Sequence, residues 1–151
     1  GREIHYRPKL MSTQILARAE AHLGANEGLV IITDEQTAGK GRLGRRWAAP
    51  FGTSLLLSML FQPPLTAMQA AQLTMCVGLG AAEAVEQIAN ADVQLKWPND
   101  LLLNNAKFGG ILIEGGQAKI DAQTWMIIGI GVSPDMVRYR VREAAISKVV
   151  L

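Results

Sequence analysis

The 151-residue sequence is poor in the features that identify a protein class at a glance. Its one cysteine, Cys76, excludes an internal disulfide and fits a reducing compartment, and its apolar helical surroundings predict that it is buried. No apolar run of about eighteen residues and no charged-then-apolar start is present, so neither a membrane span nor a signal peptide is expected. The net charge of +2 is too small to indicate a nucleic-acid-binding protein. We therefore expect a cytoplasmic protein that binds neither DNA nor membranes.

Metal-binding side chains are sparse as well. The two histidines, His5 and His22, have no carboxylate or cysteine at metal-ligand spacing, so no metal site is predicted. Hydrophobic residues make up 49% of the sequence, which excludes a disordered chain. A chain of this length suffices for one domain with a substantial core.

Hydrophobic periodicity predicts an α+β fold. Strands are predicted at residues 29–33, 55–61, 93–96 and 125–132, and as a hairpin of residues 101–103 and 107–114 around Asn104 and Asn105. Helices are predicted from Ser12 to Gly24, from Thr66 to about Asn90 with Leu79 on the core side, and from Ser133 to about Lys148. Residues 1–10 are polar and basic and are assigned no element. A mixed, largely antiparallel sheet with helices packed on it follows.

The stretch of residues 39–47 holds three glycines and four cations and ends at Trp47. It belongs to a connection of about twenty residues between two predicted strands, where a simple turn needs only two to five. Glycines let backbone N–H groups approach a ligand, and arginines offer forked donors that match carboxylate and phosphate oxygens. This glycine–arginine loop is therefore predicted to close over an anion.

Three other interpretations of the loop compete with this one. Gly39, Gly41 and Gly44 match the G-x-G-x-x-G dinucleotide pattern, but no apolar helix follows and no acid lies about twenty residues later. A basic nucleic-acid patch is the second interpretation. A solvated loop without a role is the third, and it explains the charges but not three glycines beside an indole.

Two further stretches combine polar and apolar residues in an unusual way. Residues 96–100 read Lys-Trp-Pro-Asn-Asp, which an ordinary turn would explain only in its last three positions. Residues 107–114 open a strand with Lys107 and the pair Gly109 and Gly110. Glycine inside a strand often marks the close approach of a ligand, although a hairpin that starts with an exposed lysine is an equally simple explanation.

Taken in this order, the three stretches resemble the biotin protein ligases, and Ser12, Thr13 and residues 129–131 also fit. The resemblance covers residues 10–132 and implies the biotin/lipoate ligase catalytic-domain fold. It implies one catalytic domain over residues 1–151, without the family's small C-terminal β-barrel and without an N-terminal DNA-binding domain. It also implies that ATP, with Mg²⁺, activates biotin to biotinyl-AMP, and that a lysine of a biotin carboxyl carrier domain receives the biotinyl group. A homodimer is compatible with it.

The resemblance also implies roles for individual residues. The catalytic residues would be Arg42, Asp100 and Lys107. The biotin contacts would come from Ser12, Thr13, Gln36, Gly39, Lys40, Gly41, Arg42, Lys107, Gly109 and Gly110. The nucleotide contacts would come from Arg42, Gly44, Arg45, Trp47, Asn99, Lys107 and Ser133. The sequence departs from the family pattern at Met11 for an acid, Lys40 for an arginine and Ser133 for an asparagine.

Two other functions share much of this pattern. A lipoate or octanoate ligase would have the same fold and the same acyl-lysine chemistry, and the Lys-Trp-Pro-Asn-Asp stretch favours biotin over it. A non-catalytic module that binds biotin or a carrier domain is the other, because the departure at Ser133 lies on the nucleotide side.

Overall fold

A computed structural model describes residues 3–65, 67–89, 91–117 and 124–133 of the chain. The strands are β1 (Glu3–Leu10), β2 (Leu29–Gln36), β3 (Leu55–Phe61), β4 (Val93–Lys96), β5 (Asp100–Leu103), β6 (Ala106–Gln117) and β7 (Thr124–Val132). The helices are α1 (Thr13–His22) and α2 (Ala67–Ala89). Within this part of the chain the strands form one seven-stranded sheet in the order β1-β2-β3-β7-β6-β5-β4.

The pairing of the strands is mixed but mainly antiparallel. Only β1 and β2 run parallel; every other neighbouring pair in the described sheet is antiparallel. The β5–β6 hairpin turns at Asn104 and Asn105, whose φ angles of 50° and 60° lie in the left-handed region that a tight hairpin requires and asparagine tolerates. The predicted α+β fold with a largely antiparallel sheet is confirmed.

The two helices cover opposite faces of the sheet. Ile127 of β7 packs in a buried cluster with Ala17 and Ala21 of α1. Val132, five residues further along the same strand, packs in a second cluster with Ala82 and Val85 of α2. Because successive residues of a strand point to opposite faces, the two clusters lie on different sides of β7. The face that α1 covers also carries the site described below.

Several predictions from the sequence were wrong in detail. Residues 3–10 form the edge strand β1, whose side chains are mostly exposed, so they show no apolar alternation. Cys76 and Leu79 are not on the core side of α2: the cysteine is exposed and Leu79 is 54% exposed. The strand predicted to end at residue 114 continues through Gly115 and Gly116, which pair with Met126 and Trp125.

The other boundaries differ less. Strand β2 continues three residues beyond the predicted end, and α1 ends at His22, two residues before Gly24. Both predicted ends of the long helix, Thr66 and Asn90, fall outside the described residues. So does the predicted closing helix, beyond its first residue. Neither described helix is long and apolar enough to cross a membrane.

Candidate active site

A cavity of about 370 Å³ lies where the start of α1, the glycine–arginine loop and strands β5, β6 and β7 meet. It brings together residues as far apart in the sequence as Ser12 and Gly131. The predicted site residues that line it are Ser12, Thr13, Gln36, Lys40, Gly41, Arg42, Arg45, Trp47, Asn99, Asp100, Lys107 and Gly110.

The glycine–arginine loop folds back on itself as a small hairpin. Lys40 pairs with Arg46 in an antiparallel bridge, and the N–H of Trp47 donates to the carbonyl of Gly39 at 2.9 Å. At the tip, Leu43 and Gly44 have φ angles of 57° and 73°, and the glycine satisfies this left-handed turn without strain. A side chain at Gly39 would collide with the carbonyl oxygen of Trp47. The hairpin therefore needs its glycines to hold its cations beside the cavity.

Trp47 lies on two glycines of the sheet. Gly110 and Gly131 face each other on β6 and β7, and Cβ atoms at these positions would lie 3.2 Å and 2.7 Å from the indole ring. The indole Nε1–H is buried and finds no acceptor among the described residues. The ammonium of Lys107 lies 5.7 Å from the ring centroid, within the range of a cation–π contact. An acceptor on a ligand is the natural partner for the buried N–H.

A chain of hydrogen bonds fixes the side chain of Gln36. Its Oε1 accepts from the backbone N–H of Thr13 at 2.8 Å and from the Thr13 hydroxyl at 3.2 Å. The Thr13 hydroxyl in turn accepts from the fully buried Ser58 at 2.8 Å. Beside them, the buried Ser12 Oγ has no hydrogen-bond partner in the described part of the chain. These side chains form the polar cluster of the cavity, whose members are Ser12, Thr13, Gln14 and Gln36.

Gln14 is a member of this cluster that the sequence interpretation missed. It is 4% exposed, it lines the cavity, and its Nε2 donates to the carbonyl of Leu112 at 2.9 Å. Its Oε1 is buried without a partner in the described structure. The only signal in the sequence was its position next to Thr13 at the start of a helix. Gly129 makes room for it, since a Cβ there would lie 3.1 Å from the Gln14 amide.

Lys107 and Asp100 form an ion pair at the mouth of the cavity. The Nζ–Oδ1 distance is 2.6 Å, and the side chains are 44% and 25% exposed. An exposed pair of this kind stabilises a fold by at most about 1 kcal/mol, so stability alone gives little reason for it. Asn99, the neighbour of Asp100, donates from Nδ2 to the carbonyl of Ile111 at 2.9 Å and accepts from the N–H of Ile111 at 2.9 Å through its own carbonyl. Asn99 therefore anchors the turn that presents Asp100.

Four predicted site residues lie outside the cavity lining: Gly39, Gly44, Gly109 and Ser133. A Cβ at Gly109 would meet Leu101 at 2.9 Å, on the opposite face of the sheet. Gly39 and Gly44 shape the loop hairpin. Ser133 donates its N–H to Phe108 at 2.6 Å, and its Oγ lies 3.2 Å from that of Ser54. No three His, Cys, Asp or Glu side chains of the described residues come together.

The glycine–arginine loop, the polar cluster and the sheet beneath them enclose a cavity lined by cations and polar side chains. The pattern of the biotin/lipoate A/B protein ligase family matches residues 8–133. The chain belongs to this family.

Individual relatives agree with the family assignment. Over 133 residues the chain is 36% identical to the bifunctional ligase/repressor BirA of Bacillus subtilis, covering 88% of this chain and 41% of the relative. Over 127 residues it is 35% identical to a biotin–[acetyl-CoA-carboxylase] ligase of Mycobacterium tuberculosis, covering 81% and 45%. The fold matches that of the Aquifex aeolicus biotin protein ligase in complex with biotin and ATP, with a TM-score of 0.75, 26% identity and coverage of 99% and 68%. The chain thus spans less than half the length of these two curated relatives.

Proposed function

We propose that the chain activates biotin with ATP to give biotinyl-AMP and transfers the biotinyl group to a lysine of a biotin carboxyl carrier domain. The observation that carries this proposal is a polar cluster beside a loop of exposed cations, and in that cluster the buried Ser12 Oγ and Gln14 Oε1 have no hydrogen-bond partner among the described residues. A ring with polar edges fits the polar cluster, and a carboxylate and a phosphate fit the cationic loop. The named activity of the relatives, and the biotin and ATP in the Aquifex aeolicus ligase structure, support it.

The first step has to bring two anions together. The biotin carboxylate attacks the α-phosphorus of ATP, an anhydride bond forms, and pyrophosphate leaves with the electron pair of the broken P–O bond. Arg42 and Lys107 both line the cavity, from the loop and from the sheet. Cations held in place before the reaction stabilise the charge that gathers on the α-phosphoryl oxygens. We therefore assign Arg42 and Lys107 to this charge, with Lys40 and Arg45 as further contacts.

In the second step the lysine amine attacks the carbonyl carbon of the anhydride, an amide bond forms, and AMP leaves with the electron pair of the broken C–O bond. The amine has to be neutral, because an ammonium cannot attack. Asp100 lies at the mouth of the cavity, where a lysine from another protein could reach it. We assign to Asp100 the orientation of that lysine and the acceptance of its proton. The ion pair with Lys107 places this carboxylate next to the cation assigned to the first step. One pair of side chains would thus serve both half-reactions.

Mg²⁺ and the further partners complete the proposal. Mg²⁺ keeps several water ligands and would be held mainly by the substrate phosphates, with Asn99 as the proposed contact on the metal side. The ion would offset the charge of the triphosphate. We also propose a cytoplasmic location, a carrier domain as protein substrate and a homodimer as a testable assembly.

Pyrophosphate release tests this function directly. The purified chain is incubated with ATP, Mg²⁺ and biotin, with lipoate in a parallel reaction as the control. Release with biotin alone is the expected result, and appearance of biotin on an added carrier domain completes the second step. Release with lipoate alone would transfer the chain to the lipoate branch of the family. Biotin binding without pyrophosphate release would leave a binding module and refute the catalytic proposal.

A further inference from the structure

Trp97, in the turn between β4 and β5, leaves most of its surface in solvent. The residue is 75% exposed, whereas the other two tryptophans, Trp47 and Trp125, pack against glycines of the sheet. A single exposed hydrophobic residue is common on protein surfaces, but several in one patch indicate an interaction site. The surroundings of Trp97 therefore decide what its exposure means.

Trp97 borders a shallow second cavity on the α2 side of the turn. This cavity has a volume of about 80 Å³, and its lining includes Gly78 of α2, Leu95 of β4 and Met75 of α2, which is 42% exposed. The helix lies close to β4 here, because a Cβ at Gly78 would already contact Leu95 at 3.5 Å. Leu79, four residues after Met75 and therefore on the same side of α2, is also exposed. We call Met75, Leu79 and Trp97 the turn–helix patch.

The same turn also lines the active-site cavity. The residues that line both cavities are Lys96, Trp97, Pro98, Asn99, Asp100 and Ile111. The turn–helix patch is therefore continuous with the mouth of the active-site cavity, where Asp100 lies. A molecule that covers this mouth from the side of the turn contacts the patch as well.

The charge around the turn is positive. Lys96 is exposed and forms no ion pair among the described residues, and the same holds for Arg42 and Arg45 of the glycine–arginine loop. Asp100, the only acid among the described residues that line either cavity, is already paired with Lys107. A protein surface that carries acids beside apolar side chains complements this combination.

An acceptor lysine that reaches Asp100 brings its own protein surface to this turn. The lysine amine sits on a four-carbon stem, so the backbone that carries it stays close to the mouth of the cavity. Trp97 precedes Asp100 by three residues in the same turn. The domain that carries the lysine therefore has to cover part of residues 97–99.

We propose that the turn–helix patch is the docking surface for the acceptor domain, with the indole of Trp97 as its anchor and Met75 and Leu79 as flanking apolar contacts. The matching face of the partner carries apolar side chains next to its acceptor lysine and acids around them. A few buried side chains dominate the binding energy of most interfaces, and tryptophan is enriched among them. The inference rests on the proposed function and deepens it, because it names the surface that recognises the protein substrate.

Kinetics with a large and a small acceptor separate docking from chemistry. The large acceptor is a folded biotin carboxyl carrier domain. The small one is hydroxylamine, whose nitrogen attacks the carbonyl carbon of biotinyl-AMP to give the hydroxamate and AMP. Trp97→Ala is expected to raise KM for the carrier domain about tenfold with kcat changed far less, and Met75→Gln to raise it about threefold. Because Met75 lies outside the active-site cavity, Met75→Gln should keep wild-type rates of pyrophosphate release and hydroxamate formation.

The matched control is Leu23→Ala. Leu23 is as exposed as Trp97 and follows the end of α1 that is remote from the active-site cavity, so this variant should keep the wild-type KM. Unchanged KM for the carrier domain in both patch variants would overturn the docking surface, and Met75→Gln alone decides if Trp97→Ala does not fold. Equal losses of carrier transfer and hydroxamate formation in Met75→Gln would also overturn it, because the patch would then affect the chemistry.

Sedimentation of the same variants tests a different occupant. A wild-type dimer that Met75→Gln converts to a monomer, with KM for the carrier domain unchanged, would assign the patch to a second copy of the chain and overturn its role in docking the carrier. A wild-type chain that releases no pyrophosphate with biotin would overturn the proposed function itself, and this inference with it.

Discussion

Adding one methyl group at Gly131 would prevent the indole of Trp47 from packing on the sheet. In Gly131→Ala the new Cβ would lie 2.7 Å from Cε2 and 2.8 Å from Cζ2 of the indole. Normal carbon contacts begin near 3.5 Å, so the ring has to retreat by roughly 0.7 Å or more. The backbone of Gly110 lies against the same ring, so the rigid indole cannot move towards β6. We expect the ring to leave the sheet and the glycine–arginine loop to open with it.

The magnitude follows from where the strain is released. Overpacking a well-filled site costs about 1–3 kcal/mol. Trp47 belongs to a loop with an exposed tip, so the sheet itself escapes the strain, and alanine in a strand is no worse than glycine. The overpacking free energy therefore destabilises only the closed state of the loop. A bias of about 1–3 kcal/mol towards the open state corresponds to about 5- to 150-fold.

Limited proteolysis measures the open state without assuming a function. Arg42, Arg45 and Arg46 are exposed, and trypsin cleaves after arginine only where the backbone can leave its hairpin. Cleavage in the loop should be about 5- to 150-fold faster in Gly131→Ala, with the melting temperature nearly unchanged. Gly115→Ala is the matched control, because its Cβ would make an ordinary contact of 3.6 Å with the carbonyl of Trp125. Equal cleavage rates in the two variants would refute the seating of Trp47 on Gly131.

Three further substitutions probe the site. Arg42→Gly should release biotinyl-AMP faster while biotin itself still binds, because the cation is lost and the polar cluster stays; single-turnover release at the wild-type rate would contradict this. Lys107→Ala should slow biotinyl-AMP formation by more than tenfold, about 1.4 kcal/mol of transition-state stabilisation; a normal rate of pyrophosphate release would remove Lys107 from the mechanism. Ser58→Ala should lower the free energy of unfolding by about 1–3 kcal/mol, because the buried Thr13 hydroxyl loses its donor at 2.8 Å; an unchanged urea midpoint would show that this bond carries no stability.

The location of the cavity could be predicted from the sequence wherever unusual residues are neighbours in the chain. From the sequence alone, a simple turn does not explain three glycines and four cations between Gly39 and Trp47, and it does not explain Lys96 beside Trp97. Such local clusters indicate a site because they carry too many charges for a buried core and are longer than a tight turn requires. The strands flanking the loop were also predictable, since β2 and β3 are buried apolar runs.

The remainder depends on contacts between distant residues. The edge strand β1 has no apolar alternation, and only the parallel register with β2 makes it a strand. The orientation of the Gln14 side chain depends on Leu112, which lies 98 positions away. The exposure of Leu79 depends on which face of α2 meets the sheet, and an alanine-rich helix with apolar residues on more than one side does not decide that by itself.

The glycines of the sheet show that the strand register is what the sequence does not determine. The sequence presents two adjacent glycine pairs on β6 and one alternating pair on β7, and nothing in it says which glycine meets which neighbour. The register pairs Gly110 with Gly131, and these two glycines form the flat surface against which the indole of Trp47 packs. Gly129 faces the same side and admits Gln14, whereas Gly109 faces the other side and admits Leu101. One residue of slippage would exchange these faces, since side chains alternate along a strand. The candidate site therefore depends on the pairing of β6 with β7 as much as on the side chains that line the cavity.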